Sequence, residues 1–181
     1  MPQEVERKRD VDKVSDIIRA AGGRIVGRTR LQKVAYLLEL AGLGSGFRFE
    51  YRHYGPYSEE LAVAALNADL LGLLEEEECS TSWGGFYSIF KVTGPSTEQE
   101  FAMAATEADS VVLELAATAA FLAKENFPDP WGETARRKPE KAASGRLEMA
   151  KTLYQTLSEI ETPRPLPVID RLAKRDYGIS A

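Results

Sequence analysis

Cysteine and histidine are almost missing from this chain: Cys79 and His53 are the only examples among 181 residues. A single cysteine excludes an intrachain disulfide framework and any multi-cysteine zinc site. One histidine leaves little for metal ligation, and no nucleophile or carboxylate stands at motif spacing from His53 to make it a general base. Four glutamates precede Cys79, which raises rather than lowers a thiol pKa and argues against a reactive sulfur. The same EEEE run lacks the spacing of a calcium loop and reads better as a charged hairpin edge that discourages strand pairing between molecules. The expectation is therefore a protein with no catalytic residues, no metal and no cofactor.

Long apolar runs are lacking too. The longest, from Val111 to Ala123, is interrupted by Glu114 and Thr118 and falls short of the roughly 18 residues a membrane helix needs. The N-terminal MPQEVERKRDVDKV is charged throughout, without the apolar segment of a signal peptide. A cytoplasmic protein with no membrane association is expected. Excess positive charge is also absent: the formal net charge is −5 and the sequence pI about 5.1. Binding to a polyanion would have to rely on a local basic patch.

What is present reads as an ordinary globular composition, 44% hydrophobic and 28% charged, at a length that supports one compact core. Val11, Val14, Ile17 and Ile18 recur at helical spacing and predict a first helix ending at Gly22-Gly23. A second helix follows, with Thr29 as the expected cap. Leu31, Val34, Ala35, Leu38 and Ala41 share its apolar face, and Gln32, Tyr36 and Glu39 lie opposite. Phe47 to Tyr54 is aromatic-rich and reads as extended. Gly55-Pro56 then turns the chain, and Ser58 caps a third helix over roughly 59–71. That helix is apolar on most sides, with Glu60 and Asn67 marking its wet stripe, as expected of a helix packed against neighbours.

LLEEEECS and GFYSIFKVT around TSWG read as a β-hairpin. Beyond Gly94-Pro95 the pattern predicts helices over 97–105 and 107–124, a turn at NFPDPW and a long helix over 139–160. Pro163, Pro165 and Pro167 then impose an extended stretch, and VIDRLAKRDYGI ends the chain as a short amphipathic helix. The fold class this order predicts is mostly α (α+β). Its N-terminal part, 1–95, is winged helix-turn-helix-like with a β-hairpin wing. A helical extension over 96–161 packs on it, and 162–181 forms a Pro-rich tail.

The candidate sites pull in different directions. Arg24, Arg28, Arg30 and Lys33 cluster at the start of the second helix, with a second patch at Arg136, Arg137 and Lys138 near Lys141. Both can hold phosphates or stand as solvated positive turns. Groove-reading helices present Arg, Lys, Asn or Gln. Yet the window Glu59 to Glu78 contains seven acids and no base. Tyr51, His53, Tyr54 and Tyr57 gather at the Gly-Pro turn, where polar-tipped aromatics suit either an interface or the core. Trp83 at the hairpin tip is likewise an exposed anchor or a folded-back core residue. The expected partner-binding residues are Arg28, Arg30, Gln32, Lys33, Tyr36, His53, Tyr54, Tyr57 and Trp83, with Gly55, Pro56 and Ser58 as the structural turn.

The pairing of GRTRLQKVAYLLELAG with YGPYSEEL resembles the YwgA-like family of small prokaryotic proteins. WGETARRKPEKA, followed by an amphipathic helix, is similar to that family's C-terminal half. The positions that carry the likeness are Arg28, Leu31, Gln32, Lys33, Tyr36, Tyr54, Gly55, Pro56, Tyr57, Ser58 and Leu61. The family looks distantly related to the SocA-like (Panacea) antitoxin domain. The resemblance implies a winged-helix-like, non-enzymatic protein that binds a toxin or effector through protein contacts, with a homodimer as one arrangement. The alternative is a transcriptional regulator that docks on DNA through its basic turns and wing.

Overall fold

The computed structural model describes residues 8–169. The chain runs α1 (Asp10–Ala20), β1 (Arg24–Val26), α2 (Arg28–Leu40), β2 (Glu50–Arg52), β3 (Gly55–Tyr57) and α3 (Glu59–Leu70). There follow β4 (Glu75–Ser80), β5 (Phe86–Lys91), α4 (Glu100–Glu107), α5 (Ser110–Lys124), α6 (Pro130–Arg137), α7 (Pro139–Ala142) and α8 (Arg146–Glu159). The architecture is mixed α+β and mostly helical, with two small antiparallel sheets ordered β1-β5-β4 and β2-β3.

Helix α1 buries Val14, Ile17 and Ile18, and the chain leaves it through Gly22 and Gly23, both at φ +89°, a region open to glycine at no steric cost. The three residues of β1 were not foreseen, being hidden in a basic stretch too short to show alternation. They pair with β5 in the register Arg24↔Lys91, Ile25↔Phe90 and Val26↔Ile89. The expected hairpin is therefore two strands of a three-stranded sheet.

Helix α2 opens differently from the expectation of a Thr29 cap. Gly27, at φ +98°, occupies the cap position, and no side chain caps the helix. Nine of its thirteen residues are buried, including Gln32 and Tyr36, which helical periodicity places on the wet side. The reason is α5, which packs across that side of α2. Phe121 from α5 and Phe49 both lie against the Tyr36 ring, at centroid distances of 6.0 and 5.2 Å.

Helix α5 is the axis of the molecule. Ten of its fifteen residues are buried, and α2, α6, α8 and β3 all pack on it. Its alanines at 116, 117, 119 and 120 let these neighbours approach closely. Asp109 caps it by accepting from the Val111 and Val112 amides.

The long helix expected over 139–160 is divided. The backbone takes positive φ at Ser144 and Gly145, so α7 and α8 are separate, and WGETARR forms a helix of its own, α6. After α8 the proline-rich stretch runs back over the surface. Leu166 enters the core, the Arg164 amide donates to the Ala41 carbonyl at 3.0 Å and the Tyr154 hydroxyl donates to that of Pro167 at 2.6 Å. The terminal helix expected from Val168 onward lies outside the described residues beyond Ile169.

Candidate interaction face

Helix α3 has two apolar sides and one of them is uncovered. Leu61, Ala64, Ala65 and Ala68 are buried against α1 and the rest of the core. Outside, Glu60 and Asn67 are exposed as expected. So, however, are Val63, Leu66, Leu70 and Leu71, with Leu70 retaining 75% of its accessible surface and Leu66 55%. Residues 63, 66 and 70 follow i, i+3, i+7 spacing and form one stripe along the helix. The expectation of a helix enclosed by neighbours is thus corrected. The signal was in the sequence: a helix apolar all round holds more aliphatic side chains than one buried face can take.

Ser58 begins α3 as expected, its Oγ accepting from the Leu61 amide at 3.2 Å. Gly72, at φ +69°, ends it, with the Leu73 amide closing back on the Ala68 carbonyl in the manner of a glycine C-cap. The hairpin then stands beside the helix. Opposed residues of an antiparallel pair share a face, so the register places Glu76, Glu78 and Ser80 with Phe90, Ser88 and Phe86 on one side. Phe90 belongs to the core, while Phe86, nearer the tip, is 71% exposed.

Between Leu66 and this hairpin face lies a groove of about 420 Å³, bordered also by Arg28, Tyr54, Tyr57 and Phe90. A second hollow runs on from Arg28 to Glu78 and Phe86. Trp83 stands on the hairpin tip, held by the Thr81 to Gly85 closure, with 84% of its surface free. Val63, Leu66 and Leu70 on α3 and Trp83 and Phe86 on the hairpin are thus exposed apolar side chains, and Leu66 borders the groove.

The basic residues foreseen as candidate contacts are largely engaged. Arg28 is exposed, yet its guanidinium binds Glu76 at 2.7 Å. Arg30 donates to the carbonyls of Val26 and Ala108. Arg136 and Arg137 share Glu133, and their guanidinium groups hold that carboxyl down to about 2. Arg137 also stacks over Tyr51. Arg24, on β1, is exposed.

Four of the foreseen contact residues are buried, Gln32, Lys33, Tyr36 and Lys138, although Gln32 and Lys33 line the groove beside Leu66. Their chemistry is internal. The Gln32 amide grips Ser58 at both ends, Nε2 donating to its carbonyl at 2.9 Å and Oε1 accepting from its amide at 2.8 Å. Lys33 Nζ donates to the Pro56 carbonyl at 2.7 Å. Burial pushes the Lys33 amine down to about 7, with Glu114 opposing and Lys138 and Lys141 adding to the shift. Lys138 and Lys141 both bind Glu114, at 2.7 and 2.8 Å.

The reversal before α3 also differs from expectation. Its corner is His53-Tyr54, and Gly55-Pro56 belong to β3, paired with Arg52 and Tyr51. Gly55 sits at φ +89°, and a Cβ there would lie 2.6 Å from Thr118 Oγ1, so no other residue fits without displacement. His53 is exposed and packs edge-on against Tyr54. Tyr57 is half-buried with Arg52 over its ring. No group of three or more His, Cys, Asp or Glu suited to a metal ion occurs among the described residues, and no helix among them is long and apolar enough to cross a membrane.

No family model matches the chain, and no solved structure matches it. The chain is similar to the uncharacterized protein YwgA of Bacillus subtilis (strain 168), at 37% identity over 54 residues. That similarity spans 30% of this chain and 32% of the relative.

Proposed function

We propose that this chain is a non-enzymatic protein-interaction module, built on a winged-helix-like scaffold and binding a protein partner through α3 and the hairpin. The order α1, β1, α2, β2, β3, α3, β4, β5 and the sheet β1-β5-β4 support that scaffold, with the β2–β3 pair inserted between α2 and α3, α3 in the recognition position and the β4–β5 hairpin as the wing. One observation carries the functional reading: the outward side of α3 is aliphatic, with Leu66 and Leu70 open to solvent. A helix that enters a DNA groove needs cationic and amide side chains there. Aliphatic and aromatic groups beside a groove are what protein interfaces bury at their centre. The resemblance to SocA-like domains makes a toxin or a defence effector the expected partner.

The test is capture with tagged full-length chain against the double variant Leu66→Glu/Leu70→Glu. The native chain should retain a specific protein that the double variant loses, at an unchanged melting temperature, because both side chains are exposed. Neither form should shift duplex DNA at physiological salt. Sequence-selective DNA binding that survives the double substitution and is lost on Arg28→Glu would overturn the reading in favour of a regulator working through its basic turns.

A further inference from the structure

We propose that the groove beside Leu66 is a binding site for a small molecule carrying a carboxylate on an apolar body, with the carboxylate pairing to Lys33. This goes beyond the protein-binding reading above and does not depend on it. The groove measures about 420 Å³, the size of small-ligand sites, which are mostly apolar with a few placed polar groups. Leu31, Ala62, Ala65, Leu66 and Phe90 supply the apolar part of its wall, where a ring or short hydrocarbon chain would leave water.

Three charged residues line the groove: Arg28, Lys33 and Glu76. Arg28 and Glu76 bind each other at 2.7 Å and so cancel. Lys33 is left without a counter-charge. It is 1% exposed, enters no salt bridge among the described residues, and its Nζ donates to one neutral acceptor, the Pro56 carbonyl. An ammonium has three donors, and burying one with so little compensation is costly. Glu114, which attracts Lys33 from α5, is itself held by Lys138 and Lys141, and those two repel Lys33. A ligand carboxylate supplies the missing charge and accepts the unused donors. The lysine stem is flexible, so the amine can turn toward a ligand oxygen while keeping Pro56. Inorganic phosphate has no body for the apolar wall, and a neutral hydrocarbon leaves the amine as it is. An apolar carboxylate satisfies both.

Free and liganded chains then differ by a proton. Burial lowers the folded Lys33 amine to about 7, and a bound carboxylate raises it again. Above about pH 7 binding must take up a proton, so affinity falls as pH rises, by up to about ten-fold per unit. The other charged groups around the amine, Glu114, Lys138 and Lys141, are paired with one another, as are Arg28 and Glu76. Tyr54 and Tyr57 also line the groove, and His53 is exposed at the adjoining corner. The probe is β-naphthoate, with β-naphthamide as its neutral counterpart, titrated calorimetrically into the full chain in buffers of different ionisation heat. Lys33→Met removes the amine. Ala62→Leu fills the apolar wall from α3, where Ala62 is half-buried, and leaves the amine in place, so the test survives if Lys33→Met fails to fold.

Naphthoate should bind the native chain at one to one. The amide, Lys33→Met and Ala62→Leu should each weaken binding about ten-fold or more, as for loss of a charged hydrogen bond or of the space for the ring. Proton uptake should rise from near zero at about pH 6 toward one at about pH 8.5. No binding of naphthoate overturns the proposal. So does equal affinity for the amide or in Lys33→Met, which would mean apolar contact alone. Unchanged affinity in Ala62→Leu would place the ligand elsewhere, and no uptake at about pH 8.5 would take Lys33 out of the contact; either result overturns it too. The capture experiment needs no ligand, so the protein-binding reading stands or falls separately.

Discussion

Gln32 and Lys33 do for the β2–β3 reversal what strands do for one another. The Gly55–Ser58 backbone lies under α2 and α5, where unpaired carbonyls and amides would be costly. Two consecutive α2 side chains satisfy Pro56 and Ser58 there, so LQK and GPYS form an internal clasp and their co-occurrence has a structural cause. The Lys33 amine has a measurable consequence. Its folded-state value is about 7 against an ordinary 10.5, so between these pH values the unfolded chain binds a proton that the folded chain does not. Stability from this group therefore rises with pH across that window, by at most about 1.4 kcal/mol per pH unit. Below about pH 7 both states are protonated and the slope vanishes. Above about pH 10 the buried hydroxyls of Tyr36 and Tyr154, both held protonated by desolvation, act in the opposite direction. Urea titrations from pH 7 to 9.5 should show the rise in the native chain, and Lys33→Met should flatten it.

At the scale of elements, the join between α5 and the α6–α7 region depends on one carboxylate. Glu114 is 3% exposed and serves both Lys138 and Lys141. Removing one partner from a buried ion pair leaves uncompensated charge in a low-dielectric site. Glu114→Ala should therefore cost about 3–5 kcal/mol, read as a fall in the urea midpoint. An unchanged midpoint would mean that water reaches the cluster. These elements differ in how legible they were. Helices α1 and α3 and the hairpin follow from apolar spacing, from Ser58 and from the Gly-containing loop. Strand β1 and the break at Ser144-Gly145 do not. Three residues carry no period, and although Ser144-Gly145 is a turn-type pair, the helix formers on either side led the periodicity across it.

For the molecule as a whole, a single core joins α1 to Leu166. The proline-rich strap crosses from α8 back to the end of α2, so the last described residues contribute to stability. Leu166→Ala should cost about 2–3 kcal/mol through the cavity it leaves. That corresponds to a melting temperature lower by roughly 5–10 °C for a chain of this size, with the far-ultraviolet spectrum unchanged. The charge of the molecule is settled at the same scale: with most basic side chains tied to acids, the net −5 describes the surface a partner meets better than the Arg-rich turns do.

Composition, periodicity and capping alone decided that this is a mostly helical α+β chain with no intrachain disulfide, and that the stretch from Glu59 to Glu78 is acidic and apolar, without a base. Those properties depend on neighbours in sequence, which a single chain displays directly. Which side chains are free was decided only by tertiary packing. Gln32, Lys33, Tyr36 and Lys138 looked like contact residues because polar groups favour water. They are buried because elements distant in sequence meet them: Ser58 and Pro56 take the bonds of Gln32 and Lys33, Phe121 of α5 packs on Tyr36, and Glu114 of α5 pairs with Lys138. Leu66 and Leu70 belong to a helix expected to be packed against neighbours on most sides, and they are exposed because no element of the described chain covers them.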